Sequence, residues 1–513
     1  MRKEESLVAN YLFNAISTVV NFAFPFMMGY FLMRKLMPDG YGVFSYMLSL
    51  TAYFIGFFRL GLPLIMLRDL PKHREDKKIL SYHFFRVQAI MAINLVFTVL
   101  VYLAFYFAAG DNFVRNRSIY LIFILYIVLS VFDFEWFFWA VRRFKIVTVA
   151  SVIQKAILLA AIVLWVNEPE DLQFYTWIFM LSHVVKFGTY LIYARQLLDY
   201  REFSLKGLLT YYRGIGKKAA LMYFSLLAET LYISIATLMI GWFLDNAQVA
   251  YYTLILSVIS VVKQVMNIVM PIMLSYHSEK LELHKLKPNP GEQGSNPKSN
   301  VTMRVTFSIM NMLAIPALVG GVLLSRDLLG IFITGEEILS YRVDLALSIL
   351  LVMPVISSYT TFISSQVILP LGMDRFYSLS AFTAATFNIV VNLIMIPWLG
   401  LIGAAITSVL TELLILSLCF VFHKNLFMDH IRIKYSWKYI LGALTAGIVL
   451  YYVRQGMHAE ILSIPRILIC MVIYGAVYGL CLLLLRDYTV MRVKELVLSK
   501  LSISKQKSQM ERL

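Results

Sequence analysis

The sequence predicts an all-α, polytopic membrane protein of about 14 transmembrane helices, in two six-helix lobes followed by two extra helices. Three observations carry that prediction. The chain is 60% hydrophobic and 15% charged, with a mean hydropathy of +0.73, outside the range of soluble globular domains. Its apolar residues gather into stretches long enough to cross a hydrocarbon core of about 30 Å. Its lysines and arginines alternate from one loop to the next, which gives the net charge of +16 a topological meaning.

In chain order the stretches are 9–33, 41–64, 84–109, 118–140, 147–166, 174–194, 219–243, 249–273, 304–325, 340–366, 377–397, 400–421, 437–453 and 464–485. At ~1.5 Å rise per residue, roughly 20 apolar residues cross the core, so most of them suffice with modest tilt. The opening MRKEESLVANYLFNAIS contains two acids and no small-residue cleavage site, and reads as an uncleaved first helix. With the N-terminus inside, the cytoplasmic segments hold 34 of the 46 lysines and arginines and the opposite side holds 8. Basic residues flanking spans stay cytoplasmic, so the orientation is N-in, C-in. Charge spread along these loops suits anionic lipid headgroups and leaves no basic face for nucleic acid. Cys419, Cys470 and Cys481 fall in apolar spans without a CxxC pair and read as small buried hydrophobes.

The expected organisation is a six-helix lobe over 1–200, a second over 201–425, and two extra helices with a basic tail over 426–513. A Pro- and Gly-rich stretch, KLKPNPGEQGSNPKSN (285–300), marks a flexible cytoplasmic loop of about 274–303. Residues 195–218 read as a connector forming a short amphipathic helix at the interface. The halves echo each other: LGLPLIML (60–67) with IVMPIML (268–274), and RRFK (142–145) with DRFY (374–377). Paired halves are common in transporters, with the substrate between them.

A charge inside a span is costly and marks a polar interior or a watery cavity. Four cations qualify: Arg59, Lys155, Lys186 and Lys263. For Lys155 and Lys186 the alternative is snorkelling to the headgroups. Lys263 shares a helix face with Asn267, and Asn14 and Asn21 share one on the first span, so these amides are candidate cavity-lining groups. Asn388 and Asn392 have the same i,i+4 spacing, and binding neighbouring helices together is the commoner role for such amides. The span acids are Asp133, Glu135, Glu229 and Glu412. Asp133 and Glu135 lie near Arg142 and Arg143, which predicts local ion pairs. Glu229 is expected either to neutralise Lys263 or, like Asp133, to serve as an ion-coupling group. His183 reads as a packing residue. The sequence contains no HExxH, GxSxG or zinc-type spacing, and RGIGKK (213–218) lacks the first glycine and the Ser/Thr of a phosphate-binding loop. Neither enzymatic activity nor a cofactor is expected.

Four segments in order resemble one family. They are LMRKLMPDGYGVFSYMLSLTAYFIGFFRLGLPLIMLRDL (32–70), FDFEWFFWAVRRFK (132–145), AYYTLILSVISVVKQVMNIVMPIMLSYHSEK (250–280) and SQVILPLGMDRFYSLSAFTAATFNIVVNLIMIPWLGLIGAAITSVLTELL (365–414). Together they resemble the Wzx-type (RfbX-like) polysaccharide flippases of the multidrug/oligosaccharidyl-lipid/polysaccharide exporter superfamily. The resemblance covers most of 8–425. It implies a MATE-like fold in a bacterial inner membrane. It also implies a flippase moving undecaprenyl-diphosphate-linked oligosaccharide to the outer leaflet for O-antigen, capsule or exopolysaccharide, in company with a polymerase and chain-length machinery. A cationic central cavity working by alternating access, driven by a proton or sodium gradient or by the substrate's own gradient, is the expected mechanism. A MATE-type drug/cation antiporter is the alternative, and a polytopic polysaccharide polymerase or glycosyltransferase a more distant one.

Overall fold

The computed structural model describes residue 20 and residues 24–108, 116–204, 206–267, 297–364, 374–427, 436–457, 463–487 and 491; side chains are not described at 217–233, 267, 297–305, 374, 375, 377, 378, 422–427 and 463. Among the described residues every element is helical. In order these are α1 (24–35), α2 (Met37–Arg59), α3 (Leu62–Asp69), α4 (Lys77–Ala108), α5 (Arg117–Leu129), α6 (Glu135–Ala140), α7 (Phe144–Leu164), α8 (Leu172–Leu197) and α9 (Leu208–Phe243). There follow α10 (Asn246–Asn267), α11 (Pro297–Leu329), α12 (Gly335–Ser340), α13 (Val343–Leu350), α14 (Val352–Ile363), α15 (Asp374–Leu399), α16 (Leu401–Phe427), α17 (Trp437–Gly456) and α18 (Ser463–Leu484). Eleven spans among the described residues are long and apolar enough, by length and composition, to cross a membrane. Large apolar side chains such as Phe107, Trp398, Val472 and Leu484 stand exposed, as a hydrocarbon solvent permits.

Local chemistry departs from the expected spans in three places. The second stretch is two helices, because Leu60 and Gly61 adopt left-handed backbone (φ 43° and 69°) and stop α2 at Arg59. Arg59 is therefore the last residue of its helix, where a cation meets the negative end of the helix dipole. The fourth stretch breaks as well: a 3₁₀ turn over Ser130–Phe132 and a non-helical Asp133 (ψ 85°) separate α5 from α6. In the connector, Tyr200–Glu202 form a single 3₁₀ turn, and the basic residues after Gly207 are the first turns of the 36-residue α9 rather than a separate interfacial helix.

The chain divides into two compact units, one of Met1–Val258 with Ala381–Ser408 and the other of Ile259–Ser380 with Val409–Leu513. Aromatic packing dominates the first. Phe44 meets Phe123, Tyr175 and Phe179 at centroid distances of 5.8, 5.1 and 5.1 Å. Tyr102 and Tyr120 stack at 4.2 Å, and each hydroxyl donates to the other's carbonyl, at 3.0 and 3.1 Å. Both hydroxyls are thereby satisfied away from water.

In the second unit α11, α17 and α18 close over Leu324, Tyr439, Ala443, Leu450, Cys470, Tyr474 and Tyr478. Cys419 and Cys470 are buried free thiols, and Cys481 is half-buried. Tyrosines here fill the space that glycines leave. A Cβ at Gly320 would lie 2.9 Å from the Tyr474 ring, whereas one at Gly475 would meet nothing within 4 Å. Gly320→Ala is accordingly expected to destabilise the purified protein by about 1–3 kcal/mol, as overpacking does. Gly475→Ala leaves the thermal midpoint unchanged or raised, and paired melting curves distinguish the two.

Candidate functional site

The first unit gathers three of the four in-span cations. Arg59 reaches across to the α5–α6 break, where one nitrogen, Nη2, donates to the Ser130 carbonyl at 3.1 Å and to Asp133 Oδ2 at 3.0 Å. The Ser130 carbonyl also accepts the Asp133 amide at 3.2 Å in the 3₁₀ turn, and its second lone pair takes the arginine. Asp133 also accepts the Glu135 amide through Oδ1 at 3.4 Å, so it starts α6 as well as holding the arginine. The Arg59 Nε is buried and has no hydrogen-bond partner.

Two residues further on, Glu135 Oε2 accepts from Lys186 Nζ at 3.1 Å. That ammonium also lies 5.7 Å from the Tyr190 ring centroid and 5.9 Å from that of Phe187. Lys155 stands 5.4 Å from the Phe24 ring, within electrostatic range of Lys186 and Glu135. Among the described residues, three cations thus share a half-buried cluster with two carboxylates. His183 stands beside it, its Nδ1 2.8 Å from the Phe179 carbonyl and its Nε2 2.9 Å from the Gln154 amide. Both ring nitrogens are used in packing, as expected for a buried histidine.

The ion pairs of Asp133 and Glu135 reach Arg59 and Lys186, not the neighbouring Arg142 and Arg143. Sequence proximity misled here. Arg142 follows α6 with left-handed backbone (φ 58°), and α2 and α8 bring their cations to the carboxylates from elsewhere in the chain.

In the second unit Lys263 Nζ pairs with Glu412 Oε1 at 3.0 Å, and the Glu412 side chain is only 2% exposed. Sequence reasoning offered Glu229 as its carboxylate. The side chains of Glu229 and Asn267, and the whole of Asn14 and Asn21, lie outside the described residues. Asn388 and Asn392 are fully buried, Asn392 Nδ2 donating to Asn388 Oδ1 at 2.9 Å. Among the described residues no three His, Cys, Asp or Glu side chains come together as a metal site.

A second feature lies at the opposite end of α2, where sequence analysis assigned no role. A Cβ at Gly42 would fall 1.7 Å from the Asn246 carbonyl oxygen, so the α9–α10 turn packs directly on the α2 backbone. Asn246 Nδ2 donates to Asp39 Oδ1 at 3.0 Å and Trp242 Nε1 to the Tyr46 hydroxyl at 2.8 Å. A seam that close requires glycine, and the signal was the PDGYG run that opens α2.

Comparison with known proteins adds the following. Residues 7–274 match the family described as "Polysaccharide biosynthesis protein". The fold is similar to that of "Lipid II flippase MurJ, inward closed conformation", with a TM-score of 0.68 at 13% identity over 94% of this chain and 100% of the other. It is also similar to the MATE multidrug transporter DinF-BH, with a TM-score of 0.55 at 13% identity, covering 83% of this chain and 97% of the other. No curated protein matches the chain by sequence.

Proposed function

We infer function from an established premise: the chain belongs to the polysaccharide biosynthesis protein family. It is a multi-pass membrane protein with the fold of flippases and MATE transporters. We propose that it is a flippase for a lipid-linked oligosaccharide, moving an undecaprenyl-diphosphate headgroup and its glycan from the cytoplasmic to the outer leaflet of a bacterial inner membrane. The observation that carries this reading is the Arg59–Lys155–Lys186 cluster, three cations to two carboxylates inside a helical bundle. A diphosphate is multiply anionic and pays a large desolvation cost in hydrocarbon, so carriage needs fixed cations within the membrane. A drug/cation antiporter needs the opposite balance.

Lys263 is the second unit's candidate contact, with Asn14, Asn21 and Asn267 as candidate partners for sugar hydroxyls. Alternating access moves the headgroup. A proton or sodium gradient supplies the bias, with Glu229 and Asp133 as the candidate coupling groups. A polymerase and chain-length machinery take the product.

The reading is tested in proteoliposomes holding a fluorescent polyprenyl-diphosphate-linked oligosaccharide in both leaflets. The protein is expected to expose inner-leaflet substrate to an external membrane-impermeant quencher. Quenching limited to the outer-leaflet half, as in protein-free vesicles, would refute it.

A further inference from the structure

Within the first unit's cluster both cations that meet a carboxylate directly, Arg59 and Lys186, are already neutralised, by Asp133 and Glu135. We propose that these two carboxylates are exchangeable counter-anions: they occupy the cations in the empty transporter, yield them to the anionic headgroup, and take them back on release. The proposal rests on the flippase reading above and adds to it how the site lets go of its cargo.

Four observations support exchange over a permanent structural pair. The first concerns geometry at Arg59. Asp133 is held through Nη2 alone, a nitrogen it shares with the Ser130 carbonyl, and Nε has no partner. A guanidinium bonds a phosphate through two parallel N–H groups, so a diphosphate makes a stronger, bidentate contact than the carboxylate it replaces.

The second observation is where the carboxylates sit. Asp133 lies in the break between α5 and α6, and Glu135 is the first residue of the six-residue α6. They can withdraw by adjusting a short irregular segment. Non-helical backbone at membrane depth is tolerated where it is buried in protein or lines a cavity. The cations come instead from long helices, the 23-residue α2 and the 26-residue α8, and stay in place.

Exposure is the third. The side chains of Asp133 and Glu135 are 18% and 36% exposed, whereas Glu412, the partner of Lys263 in mid-helix, is 2% exposed. By this criterion the first-unit carboxylates are the more readily displaced.

The fourth is charge. Among the described residues, the groups around the two carboxylates are Arg59 from α2, Tyr126 from α5, Lys155 from α7, and His183, Lys186 and Tyr190 from α8. The three cations face the two carboxylates across this cluster. Without its own carboxylates it would hold three positive charges, each costly inside a bilayer when the carrier returns empty. They would also bind a diphosphate too firmly to release it.

Binding of farnesyl diphosphate to the purified full-length protein in lipid nanodiscs tests this, with farnesol as the control for the tail. Asp133→Asn and Glu135→Gln are expected to bind farnesyl diphosphate at least tenfold more tightly than the parent, while export in cells falls. Asp133→Glu, which keeps the carboxylate, is expected to stay close to the parent. Should Asp133→Asn fail to elute as a monodisperse protein, the more exposed Glu135→Gln decides the matter. Equal or weaker binding in the Asn and Gln variants, with Arg59→Gln weakened, would overturn the exchange and leave the flippase reading standing. Parent and Arg59→Gln binding alike would overturn the reading and the exchange together.

Discussion

Arg59→Ala is expected to lower surface-glycan export at least tenfold, and removing Asp133 as well is expected to restore stability without restoring export. The argument separates two jobs of one side chain. Arg59 holds Asp133 at 3.0 Å and the Ser130 carbonyl at 3.1 Å, at a break where that carbonyl also accepts the Asp133 amide at 3.2 Å. Truncating the arginine leaves a partly buried carboxylate without its cation. The pair is neither exposed nor fully buried, with side chains 25% and 18% exposed, so the cost falls between the two regimes, roughly 1–3 kcal/mol. Arg59→Leu with Asp133→Leu removes both charges and recovers most of that loss. Export does not recover, because a charge-assisted contact to the headgroup, worth about 1.5–3 kcal/mol, is gone in both variants. Melting curves and export, measured on the single and double variants, separate the two effects. Export returning in the double variant would make Arg59 a purely structural residue.

How much of this was legible beforehand depends on the range of the interaction. The cations were legible, because a lysine or arginine inside an apolar stretch stands out in one dimension. Their partners were not: Arg59 and Asp133 are 74 positions apart, Lys186 and Glu135 51, and Lys263 and Glu412 149. Sequence proximity pointed to Arg142 and Arg143, and only packing of α2 and α8 on the α5–α6 break decides otherwise. The break itself gave no signal, since SVFDF contains neither proline nor glycine. The stop at Leu60–Gly61 did have a glycine, yet hydropathy alone runs a span straight through it. The all-helical class was readable because period and length are local properties.

The second large effect is expected at a residue with no side chain. Gly42→Ala would place its Cβ 1.7 Å from the Asn246 carbonyl oxygen and 2.5 Å from the carbonyl carbon. Those neighbours are backbone, so no rotamer change relieves the clash, and α2 has to separate from the α9–α10 turn. The separation pulls at the Asn246–Asp39 and Trp242–Tyr46 hydrogen bonds that flank it. Overpacking a side chain costs about 1–3 kcal/mol, and a backbone contact that cannot repack belongs at or above the upper end. Gly56, later in the same helix, is the internal control: a Cβ there meets nothing within 4 Å. Gly56→Ala is therefore neutral or stabilising by up to about 1 kcal/mol through helix propensity alone. If this seam must close once in every transport cycle, Gly42→Ala loses export as well as stability, even at temperatures where the protein remains folded. Export rates and melting curves of the two alanine variants, taken side by side, measure both consequences. Equal midpoints and equal export would show that α2 and the α9–α10 turn do not meet as closely as the Gly42 contact requires.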